Sequence, residues 1–454
     1  MFHWRDLLIV VILNEGRILM KLLNAKVSLI VLILLTTVLA ACGGGSGSSD
    51  GKTTVKYMTW ESTTTNAQID AAMKKFTAAN ITVSRVESPS SDYDQKISSM
   101  IQAQSLPDFF WCGNDQEQSW GQEGVLYDWS SYINKTDGGF NKSNFAPASL
   151  KNWYSADGAK LYGLPTLMNT YGYFYNEDMF KAAGVPVPTT SWTYDDLFAA
   201  AKALTKKDAS GKVTQYGAYA GPYTDPFLLG HYAASAGGSN FTNSVVSPTK
   251  VTADAKMIEG LEKFASGIQS GYFTSPTYTI SDTNAAFLAG KLPLLWGGQW
   301  NAATYLTSNP SFKIGFAPMP TAGKQVQIYD AVGICSPSTI SNPDAVWKVM
   351  TYLETQGWKD ILAGSPVAPA AYQPASTTYY AALKAKGMST VADTVSYILN
   401  TPTKGAIRFM APWATKANDV ITANWNDMLT GKKPVHPTLE NMIKQINEII
   451  AQNG

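Results

Sequence analysis

Short apolar segments alternate with amphipathic segments in the first part of the chain after the N-terminal region. Three have the length and residue types of β-strands: "TVKYMTW" (54–60), "ITVSRVES" (81–88) and "PDFFWCG" (107–113). Between them, apolar residues recur at helical spacing in "NAQIDAAMKKFTAAN" (66–80) and "YDQKISSMIQAQ" (93–104). This order predicts a parallel sheet with helices on its faces, in which ligands bind at the carboxyl ends of the strands.

A second alternating series follows further along the chain. It begins with "YGYFYNEDMFKAAG" (171–184) and "TYDDLFAAAKALTK" (193–206), and a strand-like segment returns at "AVGICSP" (331–337). Two helical segments close the chain, "ATKANDVITANWNDMLTG" (414–431) and "PTLENMIKQINEIIAQ" (437–452). With about 400 residues after the N-terminal region, the chain is too long for one core and long enough for two large α/β lobes.

The N-terminal region has the pattern of a secretory signal. Lys21 and Lys26 precede an apolar stretch over 27–41. The sequence Leu-Ala-Ala-Cys at 39–42 resembles the bacterial lipobox, in which Cys42 would be diacylated at sulfur and become the mature N-terminus. Ordinary cleavage or a retained membrane anchor is the alternative, although the stretch is shorter than the roughly 20 residues that span a bilayer.

We therefore expect a lipid-anchored protein on the outer face of a cell membrane. Residues 1–41 are predicted to be the signal peptide, with Met20 as the true start because the preceding apolar patch adds nothing to a signal. Residues 42–52, rich in glycine and serine, are predicted to be a flexible tether.

The amino-acid composition limits the classes of ligand and partner that we expect. The formal net charge is +1 and charged residues make up 15%, without a long block of one sign, so a nucleic-acid partner is not expected. Aromatic residues make up 12%, including 13 Trp and 23 Tyr. His3, His231 and His436 have no metal-ligand spacing, so we expect neither a metal nor a cofactor.

The two remaining cysteines, Cys112 and Cys335, both lie in apolar, strand-like segments. They could form a bridge outside the cell, but this setting favours two buried free thiols.

Four segments resemble extracellular solute-binding proteins of ABC importers, the family that includes maltose-type binding proteins. They are "LYGLPTLMNTYGYFYNEDMFKAAGVPVPTTSWTYDDLFAAAKAL" (161–204), "AAFLAGKLPLLWGGQW" (285–300), "DAVWKVMTYLETQGWKDILA" (344–363) and the tail from Phe409 to Ile450. The resemblance implies an α/β, two-lobed periplasmic-binding-protein fold of type II, each lobe a mainly parallel sheet flanked by helices. It also implies a monomer that closes on its ligand and docks on ABC permease transmembrane subunits.

The resemblance also implies domain boundaries. The expected ranges are 53–167 plus 331–373 for lobe 1, 168–330 plus 374–454 for lobe 2, and hinges near 168–170, 329–331 and 373–375.

A carbohydrate is the expected ligand, most simply an oligosaccharide. Aromatic rings match the apolar faces of sugars, and planar polar side chains match their hydroxyl groups. Such mixtures occur at several predicted strand ends. The candidate ligand-binding residues are Trp60, Glu61, Trp111, Asn114, Asp115, Asn169, Tyr171, Tyr223, Trp300, Asp330, Arg408 and Trp413.

Several of these candidates come from the resemblance. Trp111 and Asp115 stand where maltose-type proteins carry a ring and a carboxylate, with one extra residue between them here. Asn169 replaces an acidic residue of some relatives, whereas Tyr223 and Trp300 match ring contacts of the family. Trp413 matches an aromatic residue of the tail.

Other interpretations stay open for individual residues. Tyr171 could be a core residue, because Tyr173 and Tyr175 follow at a spacing of two. Asp330 could cap a hinge turn, and Arg408 could be a solvated surface residue.

Two other function classes remain. A secreted carbohydrate-active enzyme needs two carboxylates at a fixed separation, and no recognisable catalytic motif provides them, so we expect no catalytic residues. A sugar-sensing or adhesion lipoprotein would share the fold and is not excluded.

Overall fold

The computed structural model describes residues 52–88, 90–219, 226–239, 241–244, 246–274, 280–402 and 410–453. The predicted signal peptide and Cys42 lie outside the described residues, as do the candidates Tyr223 and Arg408. Thr53–Gly454 forms one compact unit. In the described part of the chain, no helix is both long enough and apolar enough to cross a membrane.

The centre of the fold is a seven-stranded mixed sheet with the order β2-β1-β3-β9-β4-β7, in which β8 also pairs with β4. A short ribbon of β5 and β6 is separate. The strands are β1 (Thr53–Met58), β2 (Ile81–Arg85), β3 (Phe109–Gly113), β4 (Gly163–Asn176), β5 (Lys206–Lys207), β6 (Val213–Gln215), β7 (Leu294–Gly298), β8 (Ile314–Pro318) and β9 (Tyr329–Cys335). The parallel arrangement predicted for the first three strands is confirmed, whereas the pairings of β4 and β9 are antiparallel.

Strand β4 joins the two parts of this sheet. Its residues 163–170 pair with β9, and its residues 171–176 pair with β7 and β8. The segment that contains Pro369 runs beside it, since the Met168 N–H donates to the Pro369 carbonyl at 2.8 Å. The change of partners at residues 170–171 therefore falls where three chain segments run side by side.

Helices cover the sheet. They are α1 (Thr63–Met73), α2 (Tyr93–Gln102), α3 (Asn114–Gln122), α4 (Pro147–Lys151), α5 (Glu177–Ala182), α6 (Tyr194–Leu204), α7 (Pro226–Ser235), α8 (Ala255–Gln269), α9 (Ile280–Leu288), α10 (Asn301–Ser308), α11 (Pro343–Tyr352), α12 (Trp358–Gly364), α13 (Gln373–Ala385), α14 (Ser389–Asn400), α15 (Ala414–Leu429) and α16 (Val435–Asn453). A π-helical turn, Leu353–Gly357, links α11 to α12.

Local sequence signals fix several helix starts. The Ser62 hydroxyl accepts a hydrogen bond from the Thr65 N–H at 3.2 Å and caps α1. At α6, Thr193 and Asp196 form a reciprocal capping box, with side-chain to backbone distances of 3.1 and 2.8 Å. These caps satisfy backbone donors that the first helical turn leaves unpaired.

The prediction of two free thiols is wrong, because Cys112 and Cys335 form a disulfide. They lie on the antiparallel neighbours β3 and β9, where Cys112 is opposite Gly333 and Cys335 is opposite Phe110. This diagonal arrangement brings their Cα atoms to 5.9 Å, within the range that a disulfide can bridge. Both cysteines are buried, so the apolar setting was predicted correctly and the pairing was missed.

Candidate functional site

A cleft of about 850 Å³ opens beside the long strand β4. One part of its lining follows β1 and β3 and includes residues from 60–65 and 113–116. Another part comes from 300–307, at the start of α10. Between them, β4 and the segment 364–368 form the remaining wall.

Trp60 and Glu61 stand in the cleft wall directly after β1. The Trp60 ring meets the Tyr93 ring edge-on, with centroids 5.3 Å apart. The Glu61 backbone is held on both sides, because its N–H donates to the Thr59 hydroxyl at 3.0 Å and its carbonyl accepts from the Asn66 amide at 2.8 Å. These contacts fix the backbone without using the Glu61 carboxylate.

The environment of Glu61 changes its acidity. Burial of its carboxyl group raises the pKa of Glu61 to about 7, and the neighbouring Trp111 indole N–H acts in the opposite direction. Near neutral pH this side chain can therefore accept hydrogen bonds as a carboxylate or donate one as an acid. Both roles suit a ligand that carries hydroxyl groups.

Trp300 presents an exposed aromatic ring in the 300–307 part of the cleft lining. It is 39% exposed, although it lies in a cleft. The Tyr171 ring meets it edge-on, with centroids 5.5 Å apart, and stacks on Trp296 at 5.7 Å. The ring lies so close to Gly298 that a Cβ there would stand 1.8 Å from it. The sequence "WGGQW" thus supplies a large ring and the small residue on which it rests.

Asn169, Tyr171 and Asp330 lie close together where β4 changes its pairing from β9 to β7. Asn169 lies opposite Asp330 in the register, and Asn169 and Tyr171 line the cleft. Asp330 is buried, and its carboxylate accepts a hydrogen bond from the Tyr171 hydroxyl at 2.9 Å. The structure therefore places Asp330 behind Tyr171, where it orients that ring.

Trp111 and Trp413 lie in the core and not on the cleft wall. Trp111 is 0% exposed, and its ring packs against Tyr57 and Trp358. Trp413 is also buried, directly before α15. In this conformation neither ring presents a face to the cleft, so ligand contact by Trp111 or Trp413 stays a prediction.

Asn114 and Asp115 begin α3, immediately after Gly113 in the cleft wall. Their backbone position brings them to this edge of the site; their side chains are outside what the structure describes.

Several lining residues were not predicted from the sequence. They are Ser62, Thr64, Thr65, Asp94, Gln116, Thr304, Thr307, the segment 364–368 and Lys386. The run "STTT" at 62–65, directly after the predicted strand end at Trp60 and Glu61, was a usable signal for the hydroxyl-bearing wall. The segment 364–368 carries no comparable sequence signal, because it reaches the cleft only by packing beside β4, which is far away in the sequence.

The described residues contain no group of three or more His, Cys, Asp or Glu side chains arranged to hold a metal ion. The chemistry of the cleft is instead that of rings, hydroxyls, amides and a carboxylate with a raised pKa.

Comparison with known proteins identifies the family of this chain. The family profile of bacterial extracellular solute-binding proteins matches residues 60–360. The chain belongs to this family. The match begins at Trp60 of the cleft wall and includes Trp300 and the strands β4 and β9. Proteins of this family are binding proteins.

Curated relatives match part of the chain. A putative binding protein of Brucella abortus is 25% identical over 273 residues, which are 58% of this chain and 62% of the relative. The maltodextrin-binding protein MdxE of Bacillus subtilis is 26% identical over 282 residues, which are 60% of this chain and 62% of that protein. The chain thus spans about 62% of the length of these relatives.

Solved structures match over nearly all of their length. An ABC substrate-binding protein of Listeria monocytogenes, in complex with cycloalternan, has a TM-score of 0.72 at 22% identity, and the match covers 88% of this chain and 99% of that one. The chain therefore has the α/β fold of type II periplasmic binding proteins, which confirms the predicted fold class and family. The expectation of a mainly parallel sheet in each lobe is wrong around β4, because β4 pairs antiparallel with β7, β8 and β9.

Proposed function

We propose that this protein is the substrate-binding component of an ABC importer, and that it captures an oligosaccharide in the cleft beside β4. The observation that carries this proposal is the exposed ring of Trp300, which lines the same cleft as Trp60, Glu61 and Asn169. Rings on the walls suit the apolar faces of a sugar, and the polar side chains beside them suit its hydroxyl groups.

The charge of the cleft supports an uncharged ligand. The charged side chains among its described lining are Glu61, Asp94 and Lys386. No described arginine stands in this lining, and Arg408 lies outside the described residues. An arginine that donates two parallel hydrogen bonds is the usual partner for a carboxylate or phosphate group of a ligand. The described lining therefore favours a ligand that is recognised through its hydroxyl groups.

The volume supports more than one sugar unit. At about 850 Å³ the cleft lies near the upper end of the roughly 300–1,000 Å³ of small-molecule sites. Relatives point the same way, since the Listeria protein is described with cycloalternan and the Bacillus protein as maltodextrin-binding.

Two lobes that close on the ligand account for capture. The expected boundaries, 53–167 with 331–373 and 168–330 with 374–454, divide β4 near residue 168, close to its change of strand partners at 170–171. A hinge there would let the wall of Trp60 approach the wall of Trp300.

Closure requires the ligand to favour the closed state by only a few kcal/mol. A ligand shifts a two-state equilibrium only by its difference in affinity for the two states. Stacked rings at about 0.5–1.5 kcal/mol each and hydrogen bonds at about 0.5–1.5 kcal/mol net each provide a few kcal/mol. That is enough to make the closed state dominant, and the closed form would then dock on the permease.

The remaining parts of the proposal concern location. An extracytoplasmic protein suits the solute-binding family. Lipidation at Cys42 and the tether 42–52 would hold a monomer at the membrane surface. Mass spectrometry of the protein from its native membrane tests this part, because an unmodified N-terminus at another residue contradicts it.

Isothermal titration calorimetry of the purified protein tests the ligand class. The panel contains maltotriose, mannotriose, xylotriose, the monosaccharide glucose, glucuronic acid and a tripeptide. Saturable binding of a neutral trisaccharide, stronger than that of glucose, supports the proposal. Binding of only the tripeptide or the acid contradicts it.

A further inference from the structure

Gln299 contrasts sharply with the residue that follows it. Trp300 is 39% exposed in the cleft, whereas Gln299 is 0% exposed. A polar side chain that is completely buried needs hydrogen-bond partners, because burying an unpaired amide is unfavourable. The partners of Gln299 therefore show what this side chain does.

The side chain of Gln299 binds backbone groups of two other chain segments. Its Oε1 accepts hydrogen bonds from the Thr170 N–H at 2.5 Å and from the Thr170 hydroxyl at 3.1 Å. Its Nε2 donates to the carbonyls of Met168 and Val367, both at 3.4 Å. The Gln299 N–H donates to the Thr170 carbonyl at 3.1 Å.

These contacts join the loop that carries Trp300 to strand β4 and to the segment 366–369, which we call the crossing segments. Met168 and Thr170 lie on β4 next to its change of strand partners at 170–171. Val367 lines the cleft, and two residues later the Pro369 carbonyl accepts the Met168 N–H at 2.8 Å. One amide thus ties three separate chain segments together beside residues that line the cleft.

The Trp300 ring is restrained from several sides. Gly298 leaves room for the ring, and Tyr171 meets it edge-on. Trp300 already has helical backbone angles, with φ −58° and ψ −24°, directly before α10. Because Gln299 stands between Gly298 and Trp300, a shift of its backbone would move the ring off Tyr171.

We propose that Gln299 is a positioning residue: its amide sets the Trp300 ring in the cleft and couples that ring to the crossing segments of β4 and 366–369. Ligand on Trp300 then acts on the same backbone groups about which the walls of the cleft move. This inference rests on the proposed sugar-binding function, but its first test does not need a ligand.

The first test observes Trp300 directly by ¹⁹F NMR of the purified protein labelled with 5-fluorotryptophan. Its resonance is assigned by its loss in Trp300→Phe. Gln299→Glu keeps an acceptor for Thr170 but turns a carboxylate towards two carbonyl oxygens, and Gln299→Met removes the polar contacts of the side chain at similar size. Both variants should shift or broaden the Trp300 resonance.

Gln327 provides the matched control. It is also fully buried, and its Nε2 donates to the Met319 carbonyl at 3.3 Å and to Gln325 at 3.1 Å. It does not line the cleft. Gln327→Glu and Gln327→Met also disturb a fully buried amide, but should leave the Trp300 resonance in place. An unchanged Trp300 resonance in the folded Gln299 variants overturns the proposal.

The second test measures coupling through ligand affinity, with maltotriose or the panel trisaccharide that binds most tightly. Gln299→Met should weaken binding about tenfold, or about 1.4 kcal/mol. In a Trp300→Ala background the same change should add little, because the ring it positions is gone. Equal losses in both backgrounds overturn the coupling. If no sugar binds the wild type, the proposed function fails, and the ¹⁹F result still decides the role of Gln299.

Discussion

Replacing Trp300 with alanine should weaken sugar binding strongly while the protein stays folded. The ring is 39% exposed in the cleft, and on the protein side it meets the Tyr171 ring edge-on and lies close to Gly298. Its removal leaves the core of the sheet unchanged, so the loss should fall mostly on the ligand.

The expected magnitude follows from the exposed area. A large aromatic side chain buries about 150–250 Å², so 39% exposure leaves roughly 60–100 Å² of Trp300 for a ligand to cover. At about 25 cal/mol per Å² this area is worth roughly 1.5–2.5 kcal/mol. Stacking geometry adds about 0.5–1.5 kcal/mol, but one sugar covers only one face of the ring. We therefore expect Trp300→Ala to lose about 2 kcal/mol of binding free energy, which raises Kd about 30-fold.

Calorimetry with the best trisaccharide of the panel measures this loss, and circular dichroism checks the fold. Val187→Ala is the matched control, because Val187 is the other large apolar side chain that is exposed among the described residues, at 42%, and it lies outside the cleft lining. Its Kd should match that of the wild type. A Kd for Trp300→Ala within about twofold of the wild type would refute the placement of the sugar on this ring.

Three further predictions concern the core beneath the cleft. Replacing both Cys112 and Cys335 with alanine opens a bridge across 223 residues, so the free energy of unfolding in denaturant should fall by about 2–5 kcal/mol; no change contradicts a native bridge. Burial raises the pKa of Glu354 to about 8, above its unfolded value, so stability should fall as pH rises from about 4.5 to 8. Glu354→Gln keeps an acceptor for the Thr166 hydroxyl and should flatten that profile; identical profiles contradict the raised pKa of Glu354. Trp413→Phe should lower the melting temperature and change the Kd by less than about threefold; a larger change would return this ring to the site.

Much of the fold could be predicted because its signals are local. The strands β1, β2 and β3 are short apolar segments separated by helical periodicity, and their parallel pairing follows from that order. Caps such as Thr193 and Asp196 are also visible within a few residues of the helix they begin. These elements depend on neighbours in the sequence, so the pattern is sufficient to find them.

The disulfide and the crossing segments could not be predicted in the same way. The antiparallel pairing of β3 with β9 brings together residues more than 200 positions apart, and only that register makes Cys112 and Cys335 neighbours. The segment 364–368 enters the cleft for a similar reason, because Met168 and Pro369 meet across the fold. Such contacts depend on topology and leave no periodic signal.

The candidate site was predicted best where a residue follows a strand. Trp60, Glu61 and Trp300 stand at strand ends, where the rule for ligand positions in α/β sheets applies, and all three line the cleft. Trp111 lies inside β3, and one position decides which face of a strand a side chain occupies. Both rings were candidates from the sequence, and the three-dimensional packing separates Trp300, which lines the cleft, from Trp111, which is buried.

Hydrogen–deuterium exchange with and without the bound trisaccharide tests most directly the claim that sugar is held between two walls. We predict slower exchange in peptides covering 60–65 and in peptides covering 300–307 at the same time, with smaller effects along 167–171. Val187 and its surroundings serve as the internal reference and should not change. Protection confined to one wall, or to a surface outside the cleft, would contradict capture between the walls.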